Sequence, residues 1–130
     1  MKKNNIVKWN ISLVDFPKTI YIEGLYDDYE GFRVIVRGEK SSRLYRISFD
    51  NYYIGYRNFD ESERIKSIPE FPMNSREWCL FKSQNSDFIN WLVEESCGIQ
   101  SKGDITHYYI MTPNDIVEIL CLKEPKVELL

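Results

Sequence analysis

Of the side chains that carry enzyme chemistry, this sequence has one histidine, three cysteines and several adjacent carboxylate pairs. His107 lies in ITHYYIMT, where alternation sets it on one strand face with Ile105, Tyr109 and Met111. An imidazole meeting a cysteine or a carboxylate from another strand could serve nucleophilic or general acid–base catalysis. That reading is a small enzyme built on His107. The competing reading, which the residue inventory favours, is a hydrogen-bonded histidine on a half-buried strand. Cys79, Cys97 and Cys121 are far apart with no C-x-x-C, and with a single histidine they fall short of a zinc set. The sequence has no G-x-S-x-G, P-loop or G-x-G-x-x-G, so no nucleotide cofactor or serine-hydrolase elbow is expected. Asp27–Asp28, Asp60–Glu61 and Glu94–Glu95 are neighbours in sequence, whereas acid–base pairs normally converge from separated segments. These pairs read as solvated surface. The expectation is no catalytic residue, no metal, no cofactor and no enzyme activity.

Two charge patterns remain. Arg33, Arg37 and Arg46 are placed on one sheet face, with Arg43 and Arg57 near its rim and tyrosines interleaved. Such a face could bind single-stranded nucleic acid. A net charge of −3 and the lack of an RRM signature favour a solvated outer face paired with acids such as Glu23 and Asp50. No direct nucleic-acid binding is therefore expected. The second pattern is acidic. Glu94 and Glu95 stand in the last turn of a predicted helix, where the helix dipole disfavours negative charge. Local rules of this kind tend to break at functional positions.

The elements that position these residues are legible from period and punctuation. TIYIEGLY (19–26), FRVIVRG (32–38) and RLYRISFD (43–50) are β-rich runs with short loops, which predicts an antiparallel meander. YYIGYRNF (52–59) is predicted to continue that sheet, with Gly55 as an irregularity. A helix is predicted from Asp60, with Asp60 and Glu63 as a capping box and Pro69 as its stop. EWCLFKS (77–83) reads as a strand. A second helix is capped by Ser86 or Asp87, carries Phe88, Ile89, Leu92 and Val93 beside Trp91, and stops at Gly98. ITHYYIMT and DIVEILCL flank the turn T-P-N-D and form a hairpin, and the tail KEPKVELL docks or frays. The expected fold is one α+β domain over residues 1–130, mainly an antiparallel sheet of six or seven strands with two helices. Tyr56 and Arg57 are left without a structural role.

A chain of 130 residues buries enough surface to fold without disulfides, and the odd cysteine count reads as buried free thiols of a reducing compartment. The lysine-led N-terminus has no apolar run of secretory length, and no stretch approaches the ~20 apolar residues that span a bilayer. A cytoplasmic protein with no membrane partner is expected. With its length, its acidic balance, the segments YDDYEG and DESER, and the orphan EES, the chain resembles small immunity proteins of bacterial polymorphic-toxin systems, including contact-dependent growth inhibition. The resemblance implies a non-catalytic protein that binds and neutralises a cognate toxin domain, commonly a basic nuclease. An acidic inhibitor can mimic phosphate in a nuclease cleft and gain a steered association rate. Tyr26, Tyr29 or Tyr56 could then act as aromatic anchors. Partner contacts are accordingly expected at Tyr26, Asp27, Asp28, Tyr29, Glu30, Tyr56, Glu94 and Glu95.

Overall fold

The structure is a computed structural model that describes residues 5–50, 52–64 and 66–130. It is an α+β domain with, among the described residues, nine strands in two antiparallel sheets and one α-helix. The strands are β1 (Ile6–Lys8), β2 (Ile20–Asp28), β3 (Gly31–Gly38), β4 (Leu44–Asp50), β5 (Tyr53–Asp60), β6 (Leu80–Ser83), β7 (Thr106–Met111), β8 (Asp115–Cys121) and β9 (Lys126–Leu129). The helix α1 spans Asp87–Glu95. One sheet runs β1-β6-β7-β8-β5 and the other β2-β3-β4-β9.

Alternation explains the main core. Val34 and Val36 of β3 and Tyr45 and Ile47 of β4 point inward, where they share one cluster with Tyr108, Ile110, Val117 and Ile119 of β7 and β8. Trp9 and Phe16, from the segment before β2, close the same cluster. On the other face of β3, Arg33, Ile35 and Arg37 are only partly covered, as expected of a sheet with one wet face. The five-stranded sheet differs, because both of its faces are covered. Phe88 and Ile89 of α1 pack on Ile105 and Leu120. Ile68, Phe71 and Met73, from the segment between β5 and β6, pack on Phe81, Tyr109, Met111 and Ile116. β7 and β8 are therefore buried on both sides, which accounts for their near-continuous apolar sequence.

Ser86 caps α1, with its hydroxyl oxygen accepting the Ile89 N–H. The helix ends through Cys97 and Gly98, both at positive φ (52° and 88°). Cys79 and Cys121 are buried free thiols as expected, but Cys97 is exposed at this helix end.

Three expectations are corrected. YYIGYRNF does not continue the meander: β5 pairs with β8 in the other sheet, although the register shift between Tyr53 and Gly55 supplies the predicted irregularity. Period 2 fixes which side chains share a face but not which strand lies alongside. The helix predicted from Asp60 is two short 3-10 turns, Glu61–Glu63 and Ile68–Glu70. Asp60 does cap the first, accepting from the Ser62 N–H and hydroxyl. The stretch has too few apolar side chains in helical spacing to hold a longer helix against a core. Finally, β1 and β9 raise the strand number from six or seven to nine. Each has only three or four residues, too few to show alternation, and each is defined by the edge it pairs with.

Candidate functional site

The sequence-predicted chemistry centres on His107, and the structure does bring a carboxylate to it. His107 of β7 and Glu118 of β8 project from the same face, with Nε2 3.0 Å from Glu118 Oε1. Ser86 Oγ lies 2.7 Å from His107 Nδ1. Arg57, directly opposite Glu118 in the β5–β8 register, grips that carboxylate with Nε and Nη2, both at 2.9 Å. Arg64, just beyond the first 3-10 turn, donates through Nη1 to Glu118 Oε2, the oxygen not bonded to His107. The imidazole stacks on Tyr109 at 3.9 Å and meets the edge of Phe88.

Donor and acceptor chemistry orders this chain of groups. A carboxylate only accepts, so His107 Nε2–H donates to Glu118. Nδ1 then accepts from the Ser86 O–H, and Ser86 Oγ accepts from Ile89 N–H. The imidazole is neutral in this arrangement. Burial, reinforced by the Arg57 and Arg64 guanidiniums, holds its pKa well below the usual histidine value.

Serine, histidine and carboxylate in this order resemble a hydrolytic triad. Here, however, His107 is 0% and Glu118 1% exposed, and Ser86 is buried with its oxygen committed to the helix cap. None of the five principal surface hollows is lined by Ser86, His107 or Glu118. The half-buried histidine expected from the strand pattern is fully buried because α1 covers this sheet face. What the network does physically is fasten α1, β5, β7, β8 and the segment after β5 to one point. Arg57, unexplained in the sequence, is thereby accounted for. Sequence reasoning missed Glu118, Arg64 and the second use of Ser86. The available signal was a lone glutamate inside the apolar run DIVEILC.

The acidic segment 26–30 is the tip of the β2–β3 hairpin. Asp28 Oδ1 accepts the Glu30 N–H and pairs with Arg33 at 2.8 Å, which holds its carboxyl below the usual range. Gly31 has φ +96°, and a Cβ there would meet the Asp50 backbone at 2.9 Å, so the tight turn needs glycine. Asp27 accepts from the Tyr53 hydroxyl, and Tyr26 lies under the Arg33 guanidinium at 4.9 Å. Tyr29, 94% exposed, and Glu30 face solvent. Asp28 is thus a turn-forming residue as well as a surface charge. Asp28→Lys is expected to speed amide exchange over residues 28–33 while leaving the core strands protected, which hydrogen exchange followed by NMR would read. Unchanged exchange at those amides would remove its structural role.

Tyr56, Glu94 and Glu95 belong to a different surface. A groove of about 770 Å³ runs between β5 and α1, walled by Ile54, Tyr56, Phe59, Phe88, Trp91 and Leu92, with Arg57 also lining it. Trp91 is 56% exposed, and Phe59 and Tyr56 are also open to solvent. Glu94 and Glu95 stand three and four residues after Trp91, hence beside it on the helix surface. The hairpin adjoins the start of β5 through Asp27 and Tyr53, and Phe32 of β3 stacks on Tyr56 at 4.6 Å. The sequence reading named Tyr56 and the two glutamates but missed Phe59 and Trp91. Trp91 was visible as the aromatic residue beside the apolar helix stripe.

The three arginines of the β3–β4 face are paired with acids, whereas Arg57, expected at its rim, lies on β5 in the other sheet. Arg33 pairs with Asp28, Arg37 with Glu23 and Arg46 with Glu128, at 2.7–2.9 Å. Among the described residues no group of three or more His, Cys, Asp or Glu side chains could hold a metal ion, and no helix is long and apolar enough to cross a membrane. Compared with protein-family models, curated proteins and solved structures, the chain matches none.

Proposed function

We propose that this chain is a non-catalytic, immunity-type protein of the bacterial cytoplasm that binds and neutralises a cognate toxin domain. A basic nuclease is the class of toxin that its acidity suits. The observation that carries this reading is the contrast between interior and surface. The groups able to do acid–base chemistry are enclosed in a hydrogen-bonded network, while large aromatic and acidic side chains stand open on one groove and one hairpin tip. Exposed aromatic anchors with acidic surroundings suit capture of a positively charged protein.

The test starts from the gene directly upstream. Co-expression of this chain should rescue growth when the C-terminal domain encoded there is toxic. The purified pair should form a complex whose association slows steeply between low salt and ~0.5 M, where the Debye length falls to a few ångströms. Neither rescue nor binding, with a toxic and folded upstream domain, rejects the reading.

A further inference from the structure

We infer that the groove between β5 and α1 receives an extended, basic segment of a partner protein, added as a strand on the free edge of β5. The inference rests on the preceding reading only in taking the occupant to be a protein.

β5 is the last strand of its sheet, and among the described residues 54–60 make no backbone hydrogen bond beyond those to β8. Natural edge strands are usually blunted by lysine, proline or short length. The other edge of this sheet follows that rule, since β1 has three residues and ends in Lys8. β5 has eight residues with no lysine and no proline, its register shift is confined to Tyr53–Gly55 at its start, and its one cation, Arg57, is turned onto Glu118. Its exposed side chains include Tyr56 and Phe59. An incoming strand would complete the backbone ladder and send alternate side chains into the groove against Phe59 and Trp91.

Charge selects the occupant. The two walls, residues 53–64 and 86–95, carry six carboxylates, two arginines and no lysine. Both arginines are committed to Glu118. A second copy of this chain would set one acidic wall against another, and nucleic acid would meet the same repulsion. A segment with aromatic or β-branched residues at alternate positions, flanked by lysine or arginine, satisfies both the apolar floor and the acidic rim.

The experiment selects a random 12-residue peptide library, displayed on phage, against the full chain at low salt, with Trp91→Ala for counter-selection. Trp91 is largely exposed, so this variant should keep the wild-type melting temperature. The expected winners are net positive with alternating apolar residues. A synthetic copy of a winner should bind at least about tenfold more weakly to Trp91→Ala and to Glu94→Lys/Glu95→Lys, the scale of an interface anchor. It should also shift the amide signals of residues 54–60. Failure to enrich over Trp91→Ala, enrichment of neutral or acidic peptides, shifts confined to another surface, or a homodimer abolished by the same substitutions would each overturn the inference. Peptide capture without toxin rescue rejects the immunity reading alone. Rescue that survives Trp91→Ala, with no peptide enriched, rejects the groove alone.

Discussion

Glu118→Gln is expected to destabilise the fold by roughly 3 kcal/mol, the lower end of what breaking a buried ion pair costs. Its carboxylate accepts from Arg57, Arg64 and His107, and it is 1% exposed. An amide of the same size keeps the packing but removes the charge on which both guanidiniums converge. Arg64 is the worse placed, with 14% of its side chain exposed, whereas Arg57 keeps 36% and recovers some hydration. That difference is why the lower end of the range applies. The measurement is urea unfolding at pH 7, with the m-value held constant between variants. Replacing the whole network with apolar side chains of similar volume (Glu118→Leu, Arg57→Leu, Arg64→Met and His107→Phe together) should recover most of the loss, because the cost lies in stranding charges. A loss under ~1 kcal/mol for Glu118→Gln would mean that the ion pairs are hydrated and that the network does not fasten the sheet.

Acidification is expected to weaken the fold from near pH 6.5 downward. His107 is buried and neutral, with a folded-state pKa held well below the ordinary value near 6.5, which the unfolded chain retains. Below that pH the unfolded state binds a proton that the native state does not, so stability falls as pH falls. The window opens near pH 6.5 and closes at the lower folded-state value. Inside that window each pH unit costs at most about 1.4 kcal/mol, the limit for one proton taken up by the unfolded chain alone. At lower pH a further decline follows from Asp28 and Asp60, whose carboxyls are held below their usual range by Arg33 and by the Ser62 N–H and hydroxyl, respectively. His107→Gln supplies an amide oxygen for Ser86 and an N–H for Glu118, so it should fold while flattening the pH 5–7 slope. It loses the ring contacts with Tyr109 and Phe88 and is less stable at pH 7. An unchanged slope in His107→Gln would assign the pH dependence to another group.

These two residues also divide what the sequence carries from what it does not. The meander β2–β4, the hairpin β7–β8 and the helix α1 are legible because their signals are local. Alternation sorts Val34 and Val36 from Arg33 and Arg37, and the Thr112 hydroxyl of T-P-N-D closes its own turn on the Asn114 and Asp115 N–H groups. Ser86 reads as a cap because the N–H it serves is three residues away. Each of these choices is decided by free energy within a handful of residues.

The candidate sites were legible only in part. Tyr56, Glu94 and Glu95 stood out in the sequence, but nothing local shows that Tyr56 and Trp91 line one groove, because β5 and α1 are separate segments that meet only in the folded chain. The hairpin acids stood out as well, yet Asp27 and Asp28 take their roles from Tyr53 and Arg33 across strands. His107 was legible as a strand residue, and its burial was not, because α1 covers that face only after the sheet has formed. The exchange of β5 from the meander to the other sheet is of the same kind. Arg57 and Glu118 are 61 residues apart in the chain, and Arg64 and Glu118 are 54. By itself the sequence determined the faces, the turns, the caps and an acidic balance. The tertiary structure decided which strand lies beside which, which histidine is closed off and which aromatics stay open, because those outcomes depend on pairings whose energies are realised only between distant segments.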